Sequence, residues 1–307
     1  MSEKKSAFMV SAVQTAPVFM DKNATVDKAC ELIGQAAGMG ASLVVFPEAF
    51  VSGYPDWVWI LPPAKKDLIN DLYTEMLESS ITIPDQATER LCKAAKKAGI
   101  YVTIGVNERN SEASNSSLFN TLLYIGPDGT IMGKHRKLIP TGGERLMWSQ
   151  GSGNTLSSFD TAIGRLGGLI CWENFMPLAR NAMYVKGVQL YVAPTWDSSK
   201  AWQIAMRHIA REGGMFVISC APCIKLSDIP DRYEFKRYYP EEREWINKGN
   251  SCIVDPKGKI LAGPLEAEQS IISAEINLND IPAQKWLYDV AGHYARPDVF
   301  EFAAKSD

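Results

Sequence analysis

Glu48, Lys137 and Cys171 are of the residue types that together can displace a group at a carbon bearing nitrogen. A thiolate forms a covalent intermediate that divides one hard displacement into easier steps. A carboxylate can take the thiol proton, and later a water proton, as general base. An ammonium can donate to the negative charge that develops on the attacked group. The cysteine lies in Leu166-Gly-Gly-Leu-Ile-Cys171-Trp-Glu-Asn-Phe-Met-Pro-Leu-Ala-Arg180, where an apolar run ends and Pro177 opens a helical pattern. Proline suits a first helical position because its missing N–H would have no intrahelical partner there. The sulfur is thus expected at the carboxyl edge of a sheet, where open α/β sheets hold ligands. The N–H groups of a strand-to-helix turn are expected to lower its pKa. The competing reading is a small buried hydrophobe, since free cysteine is among the most buried residue types.

The elements that must position these groups follow from patterning. Ala7 to Thr15 reads as a strand, and Asn23 is placed to cap a helix with apolar positions Val26, Cys30, Ile33 and Ala37. Ser42-Leu-Val-Val-Phe46 is the continuous apolar run of a strand covered on both faces, and it leads straight into Pro47-Glu48. A carboxylate there is either a solvated loop residue or a placed acid/base. The loop 51–63 is aromatic and proline-rich, apolar enough to pack over the mouth of a pocket. Helical patterns over 64–79 and 85–98 precede a strand at 100–106. A hairpin, 118–125 and 130–134, turns around Gly126-Pro-Asp-Gly129. His135-Arg-Lys137 follows, and by itself this basic run reads as a solvated face.

The second half repeats the plan: strand 165–170, helix 177–186, strand 188–193, a helix near 199–212 and strand 215–219. A long polar segment and a hairpin through Asp255-Pro-Lys-Gly258 complete it. Two similar β-α-β-α-β-hairpin halves, each with helices on one face of its sheet, must bury their bare faces against each other. The expected architecture is therefore an α/β four-layer αββα sandwich. Glu48, Cys171 and the end of strand 188–193 then share the carboxyl edges, with Lys137 leaving a hairpin toward them.

Composition narrows the class. The 307 residues are 46% hydrophobic and 22% charged, as in ordinary soluble globular proteins. A net charge of −3 argues against a nucleic-acid footprint, which needs a basic face. No apolar stretch approaches the ~20 residues that span a bilayer. Lys4-Lys5 before Ala7–Val13 faintly resembles a signal peptide, but Gln14 and Asp21 interrupt it and alternation suits a first strand better. Six scattered cysteines are too few for a disulfide scaffold, so a reducing cytoplasm is expected. Cys220-Ala-Pro-Cys223 lacks a second pair or a nearby histidine and reads as a strand-end coincidence rather than a zinc or redox site.

The constellation resembles the nitrilase superfamily, the carbon–nitrogen hydrolases with a Glu-Lys-Cys triad, over nearly the whole chain. Its landmarks are Phe46-Pro-Glu48, Lys134-His-Arg-Lys137 and Cys171-Trp-Glu173, in this order and at these separations. Pro140-Thr-Gly-Gly-Glu-Arg-Leu-Met-Trp148, the ten residues from Cys171 to Arg180, and Gly292-His-Tyr-Ala-Arg-Pro-Asp298 look like the true nitrilase branch. The resemblance implies Glu48 as base, Lys137 as electrostatic stabiliser, Cys171 as nucleophile and Glu144 as a second glutamate positioning lysine or substrate. It implies hydrolysis of an organic nitrile to the carboxylic acid and ammonia, with no cofactor and no metal. Asn174 and Ser149 depart from the histidine and glycine of many nitrilases, which bears on substrate range. An amidase or carbamoylase, a cyanide-metabolising member, and a non-catalytic assembly protein that works by binding are the alternatives.

Tyr54, Trp172, Thr195 and Trp196 are the candidate substrate-binding residues, with Trp59 as a further aromatic, and they suggest room for an aromatic or arylaliphatic nitrile. Glu173 beside the nucleophile would raise the thiol pKa if it pointed inward, so it is expected to turn away and bond backbone. His135, His208 and His293 are the candidates for a Cys–His dyad, none in a protease-like context. The expected unit is one domain over 1–307, with 279–307 a tail used in subunit association. The partners expected are a small-molecule nitrile, water and further copies of the chain, as a dimer building block extending to spirals or filaments; no nucleic acid and no membrane.

Overall fold

The structure, a computed structural model, describes residues 7–305. Lys4 and Lys5 lie outside the described residues, as do the last two residues of the tail. The first half runs β1 (Ala7–Gln14), α1 (Lys22–Gly38), β2 (Ala41–Val45), α2 (Lys66–Glu78), α3 (Gln86–Ala98), β3 (Tyr101–Arg109), β4 (Leu118–Ile125) and β5 (Ile131–Arg136). The second runs β6 (Ser158–Thr161), β7 (Gly164–Gly168), α4 (Pro177–Val185), β8 (Leu190–Pro194), α5 (Lys200–Gly213), β9 (Phe216–Cys220), β10 (Cys223–Lys225), β11 (Trp245–Val254), β12 (Ile260–Glu266), β13 (Ser270–Asn277) and α6 (Asp280–Lys285).

Local chemistry sets the helix limits. The Asp85 carboxylate accepts from the Thr88 N–H at 2.9 Å and opens α3, and Gly99, at φ +68°, closes it in the left-handed conformation that glycine adopts most readily. The cap of α1 is Asp21, which accepts from the Ala24 N–H at 2.9 Å, and not the expected Asn23. Both are good capping types, but the helix begins before residue 23. Its buried stripe is correspondingly Val26, Ala29, Ile33 and Ala36, with Cys30 and Ala37 at the margin.

Two sheets form, ordered β13-β1-β2-β3-β4-β5 and β6-β7-β8-β9-β11-β10, with β12 also paired to β11. The path β6-β7-β8-β9-β11-β12 thus repeats the strand order of the other sheet, as two similar halves require. Where sequence reading falls short is at the edges. β13 comes from the end of the chain yet pairs antiparallel with β1, Ala7 against Asn277 through Gln14 against Ser270, so the halves interlock. β6 and β10, short edge strands of four and three residues, also carried no readable alternation.

Alternate residues of each strand serve two cores. Phe8, Val10, Leu43 and Val45 face Leu166, Leu190, Val192, Phe216 and Ile218 across the gap between the sheets. On the outer faces, α1 and α3 bury Val26, Ile33 and Leu91 against Val44 and Val102, and α4 and α5 bury Met183, Trp202 and Met206 against Tyr191 and Val217. The result is the αββα order of layers. The segment 226–244 that reads as polar also has an apolar side, with Ile229, Tyr233, Phe235 and Tyr239 buried against Phe19 and Trp57. None of its described helices is long and apolar enough to cross a membrane. Leu190→Ala, in the layer between the sheets, should cost about 2–5 kcal/mol, read as a lower urea midpoint at unchanged slope.

Candidate active site

Glu48, Lys137 and Cys171 each follow the carboxyl end of a strand. Glu48 lies three residues past β2, in a segment pinned along β3: Gly105 N–H donates to Pro47 O at 3.2 Å and Val51 N–H to Gly105 O at 3.1 Å. Gly105 is the residue that permits this approach, because a Cβ there would lie 2.3 Å from Pro47 O and 2.8 Å from Glu48 Cα. Lys137 follows β5 and its N–H donates to Asn120 O at 2.8 Å. Cys171 lies three residues past β7 at φ +50° and opens a single turn of 3-10 helix ahead of α4. Left-handed backbone at a non-glycine residue is strained and persists only where the surroundings over-determine it. Here Asn174 does so: its amide donates to Leu169 O at 3.1 Å and Cys171 O at 2.8 Å, and accepts from Tyr191 OH at 2.7 Å.

The structure brings Glu48, Lys137, Glu144 and Cys171 together, all buried. Lys137 Nζ donates to Glu48 Oε1 and to Glu144 Oε2, each at 2.8 Å. The two carboxylates are not equivalent. Glu144 also accepts from the Thr141 N–H at 2.7 Å and from Tyr54 OH at 2.7 Å, so both its oxygens are engaged. Glu48 Oε1 accepts a second bond, from Asn120 at 2.7 Å, while its Oε2 has no partner among the described residues. Burial and the Glu144 charge push Glu48 above the ordinary carboxylate range, against the pull of Lys137 and Asn120. Burial alone would lower Lys137, but Glu48, Cys171 and Glu144 outweigh it and hold the ammonium well above its usual range.

The thiol corrects one expectation. Burial, then the Glu48 and Glu144 charges, push Cys171 far up, and Lys137 and the Thr195 hydroxyl only partly offset them. These shifts favour the protonated sulfur, and in that form its proton needs a base. Selective early labelling by iodoacetamide, which an ionised sulfur would give, is not expected; Cys30 and Cys92 are the half-buried thiols. The basic run is not a solvated face either: His135 and Lys137 are buried, and Arg136 pairs with Glu108 at 2.6 Å. Glu173 does turn to backbone, accepting from Leu138 N–H at 2.6 Å and Ile170 N–H at 2.7 Å. His135 Nε2 also bonds this carboxylate, at 3.0 Å, which spends the imidazole far from a Cys–His role. Burial opposes Glu173 ionisation, but His135 and the two amides prevail and hold it below the usual range.

A cavity of about 740 Å³ opens above the sulfur, lined by Tyr54, Trp59, Thr141, Glu144, Trp172, Trp196 and Asp197 among others. Trp196 stacks on Tyr54 with centroids 4.2 Å apart and planes 8° apart. The Trp59 indole N–H donates to Tyr54 OH at 3.0 Å, and the Trp172 indole N–H to Asp197 at 2.9 Å, leaving the ring faces of these half-exposed residues for a ligand. Of the four candidate substrate contacts, Tyr54, Trp172 and Trp196 lie on this wall. Thr195 does not: it is fully buried and its hydroxyl donates to Cys171 Sγ at 3.2 Å. Asn174 braces the nucleophile turn and Ser149 N–H bonds Leu118 O, so neither departure from the nitrilase pattern sits on the cavity wall. Sequence reading missed Asn120, although an amide inside the apolar run of β4 was a visible signal. Cys220 is spent between the sheets, donating to Val13 O and Val45 O.

The profile of the carbon–nitrogen hydrolase family matches residues 9–285. The chain belongs to that family. This carbon–nitrogen hydrolase is 43% identical to an aliphatic nitrilase of Sinorhizobium fredii, over 98% of this chain and 96% of the relative. It is 41% identical to a bifunctional nitrilase/nitrile hydratase of Lupinus angustifolius, over 96% of this chain and 85% of the relative. The crystal structure of a Saccharomyces cerevisiae member of branch 10 of the nitrilase superfamily superposes with a TM-score of 0.71 at 21% identity, covering 96% of this chain and 98% of that one, which shows the shared fold.

Two substitutions probe this geometry. Gly105→Ala must displace the Pro47-Glu48 backbone, so activity should fall by about a hundredfold or more with the fold retained by circular dichroism. Glu173→Ala strands a buried imidazole and two backbone N–H groups, and should lower stability by about 3–5 kcal/mol in denaturant titration.

Proposed function

We propose that this carbon–nitrogen hydrolase is a nitrilase, converting an organic nitrile and two waters to the carboxylic acid and ammonia. The observation that carries the chemistry is a buried sulfur beside an ammonium that two carboxylates grip at 2.8 Å each, one of them keeping a free oxygen. The nitrile as substrate is supported by the names of the relatives, near 40% identical over most of their length.

In this reading Glu48 takes the thiol proton as Cys171 Sγ bonds to the nitrile carbon, and returns it to the nitrogen, giving a thioimidate. Lys137 donates to the charge that develops on the attacked group. Water, deprotonated by Glu48, adds to the thioimidate carbon; the tetrahedral adduct expels ammonia and leaves a thioester. A second water, activated in the same way, releases the acid and restores the thiol. Glu144 orients Lys137, and the Thr195 hydroxyl supports the sulfur when it carries charge. If the tetrahedral adduct expels sulfur instead of ammonia, the amide is the product, a branch in keeping with the nitrilase/nitrile hydratase name of one relative. We further propose a reducing, cytoplasmic setting and a single working unit over 1–307. The exposed Trp286, Leu287, Tyr294 and Phe300 support self-association through the tail 279–307.

Ammonia release from phenylacetonitrile, benzonitrile, short aliphatic dinitriles and cyanide tests the assignment; activity on amides with none on nitriles would move the chain to an amidase role. Cys171→Ala should abolish turnover, and Glu48→Gln should lower kcat by about 10²–10⁴. Glu48 acts as base only when ionised, and its pKa is raised. The acid limb of kcat/KM should therefore fall as pH drops through a midpoint above 4.5, the ordinary value for this carboxylate. A midpoint at or below that value would count against Glu48 as the base.

A further inference from the structure

Among the described residues, the cavity lining includes two carboxylates, Glu144 and Asp197, and no lysine, arginine or histidine. Glu144 belongs to the catalytic cluster, with both oxygens engaged. Asp197 stands outside it. It is half-buried in the link between β8 and α5, and among the described residues its carboxylate has no salt bridge. Two uncharged N–H donors hold it instead: the Trp172 indole on Oδ2 at 2.9 Å and the Ser199 amide on Oδ1 at 2.8 Å. The link itself is pinned residue by residue. Thr195 N–H donates to Cys220 O at 2.9 Å, Asn247 Nδ2 to Trp196 O at 2.6 Å, Asp197 N–H to Thr195 Oγ1 at 2.9 Å and Asn250 Nδ2 to Ser198 O at 2.7 Å.

We propose that Asp197 is a charge filter for the cavity: its carboxylate admits uncharged substrates and opposes anionic ones, the acid product included. The proposal deepens the nitrilase reading and rests on it for its substrates. Geometry keeps the charge close to the reacting centre. The Thr195 hydroxyl that accepts from Asp197 N–H donates to Cys171 Sγ at 3.2 Å, and Trp172, bonded to the carboxylate, is the residue after the nucleophile. A ring thus closes through Cys171, Trp172, Asp197 and Thr195, and the carboxylate leaves the wall only by giving up both its donors. Lys137 offers an incoming anion little, since its ammonium is shared between Glu48 and Glu144. A nitrile is neutral, whereas a carboxylic acid is ionised near neutral pH. A fixed negative charge on low-dielectric walls separates the two, because such clefts focus the field of one sign. The competing role is a structural one at the start of α5, where Ser199 Oγ already accepts from the Trp202 N–H at 3.2 Å. That role would move stability and leave discrimination by charge alone.

The test compares kcat/KM for para-(cyanomethyl)benzoate and para-methylphenylacetonitrile, an anion and its neutral counterpart, in the wild type, Asp197→Asn and Asp197→Ser. Asparagine keeps an acceptor for the indole and removes the charge. It should raise the anion-to-neutral ratio about three- to tenfold and lower the inhibition constant of phenylacetate by a similar factor. Asp197→Ser should move both in the same direction, and it remains informative if Asp197→Asn fails to fold. Raising the ionic strength from about 0.01 M to about 1 M shortens the screening length from about 30 Å to about 3 Å. That change should raise the ratio in the wild type by more than in either variant. An unchanged ratio or an unchanged inhibition constant overturns the proposal, whatever happens to stability. If the wild type turns over amides and no nitrile, the nitrilase reading fails alone, and the same ratio taken on the two corresponding amides still decides this one.

Discussion

One ammonium shared by two buried carboxylates is the constraint on which the rest depends. Removing an ion from water costs several kcal/mol even after relaxation, and the attraction offsets this only where geometry and hydrogen bonding are good. Lys137 meets that condition with two bonds of 2.8 Å, and Glu144 with three donors. One positive charge cannot fully satisfy two negative ones, and the structure resolves the surplus unevenly. Glu144 has both oxygens occupied; Glu48 keeps one oxygen free and a raised pKa. Two carboxylates pushed into different environments acquire different capacities, a positioning group and a base.

The cluster also draws on both halves of the chain. Glu48, Lys137 and Glu144 come from the first half, the sulfur and its Thr195 donor from the second. The gap between them is set by the sheet-to-sheet core and locked by one side chain. Glu173 bonds the amide after Lys137 and the amide before Cys171, so a single buried carboxylate fixes the backbone on both sides of the site. β13 returning to β1 ties the same two halves at the opposite end of the chain.

Much of this was legible because the signals are local. Apolar runs of four to five residues, Asp85 and Gly99 at helix ends, and Pro177 after the cysteine mark most elements, and strand ends then place the candidate residues on one edge. What was not legible depends on the third dimension. His135-Arg-Lys137 looks like a surface run, because nothing local shows that Glu48, Glu144, Glu173 and Glu108 arrive from elsewhere to neutralise it. Sequence alone places Thr195 beside Trp196 on the expected pocket wall; which way its hydroxyl turns, here to the Cys171 sulfur, is set by the fold. The apolar side of 226–244 was hidden because Ile229, Tyr233, Phe235 and Tyr239 share one parity that Asp231 and Arg237 interrupt.

The raised thiol changes how the proposed chemistry must run. A thiolate waiting in the cavity would need the surrounding aromatic wall to tolerate an extra charge. A thiol beside an ionised Glu48 does not, because moving one proton from sulfur to oxygen exchanges one anion for another and leaves the number of buried charges unchanged. Burial lifts both groups, so much of its effect cancels in the transfer. The remaining gap between an ordinary thiol and an ordinary carboxylate must close elsewhere: the Thr195 hydroxyl favours the ionised sulfur, while Lys137 attracts both anions. The transfer is completed only when the sulfur's charge passes onto substrate as the S–C bond forms. A cavity with mostly apolar walls therefore favours a nucleophile that is made during attack over one that is stored beforehand.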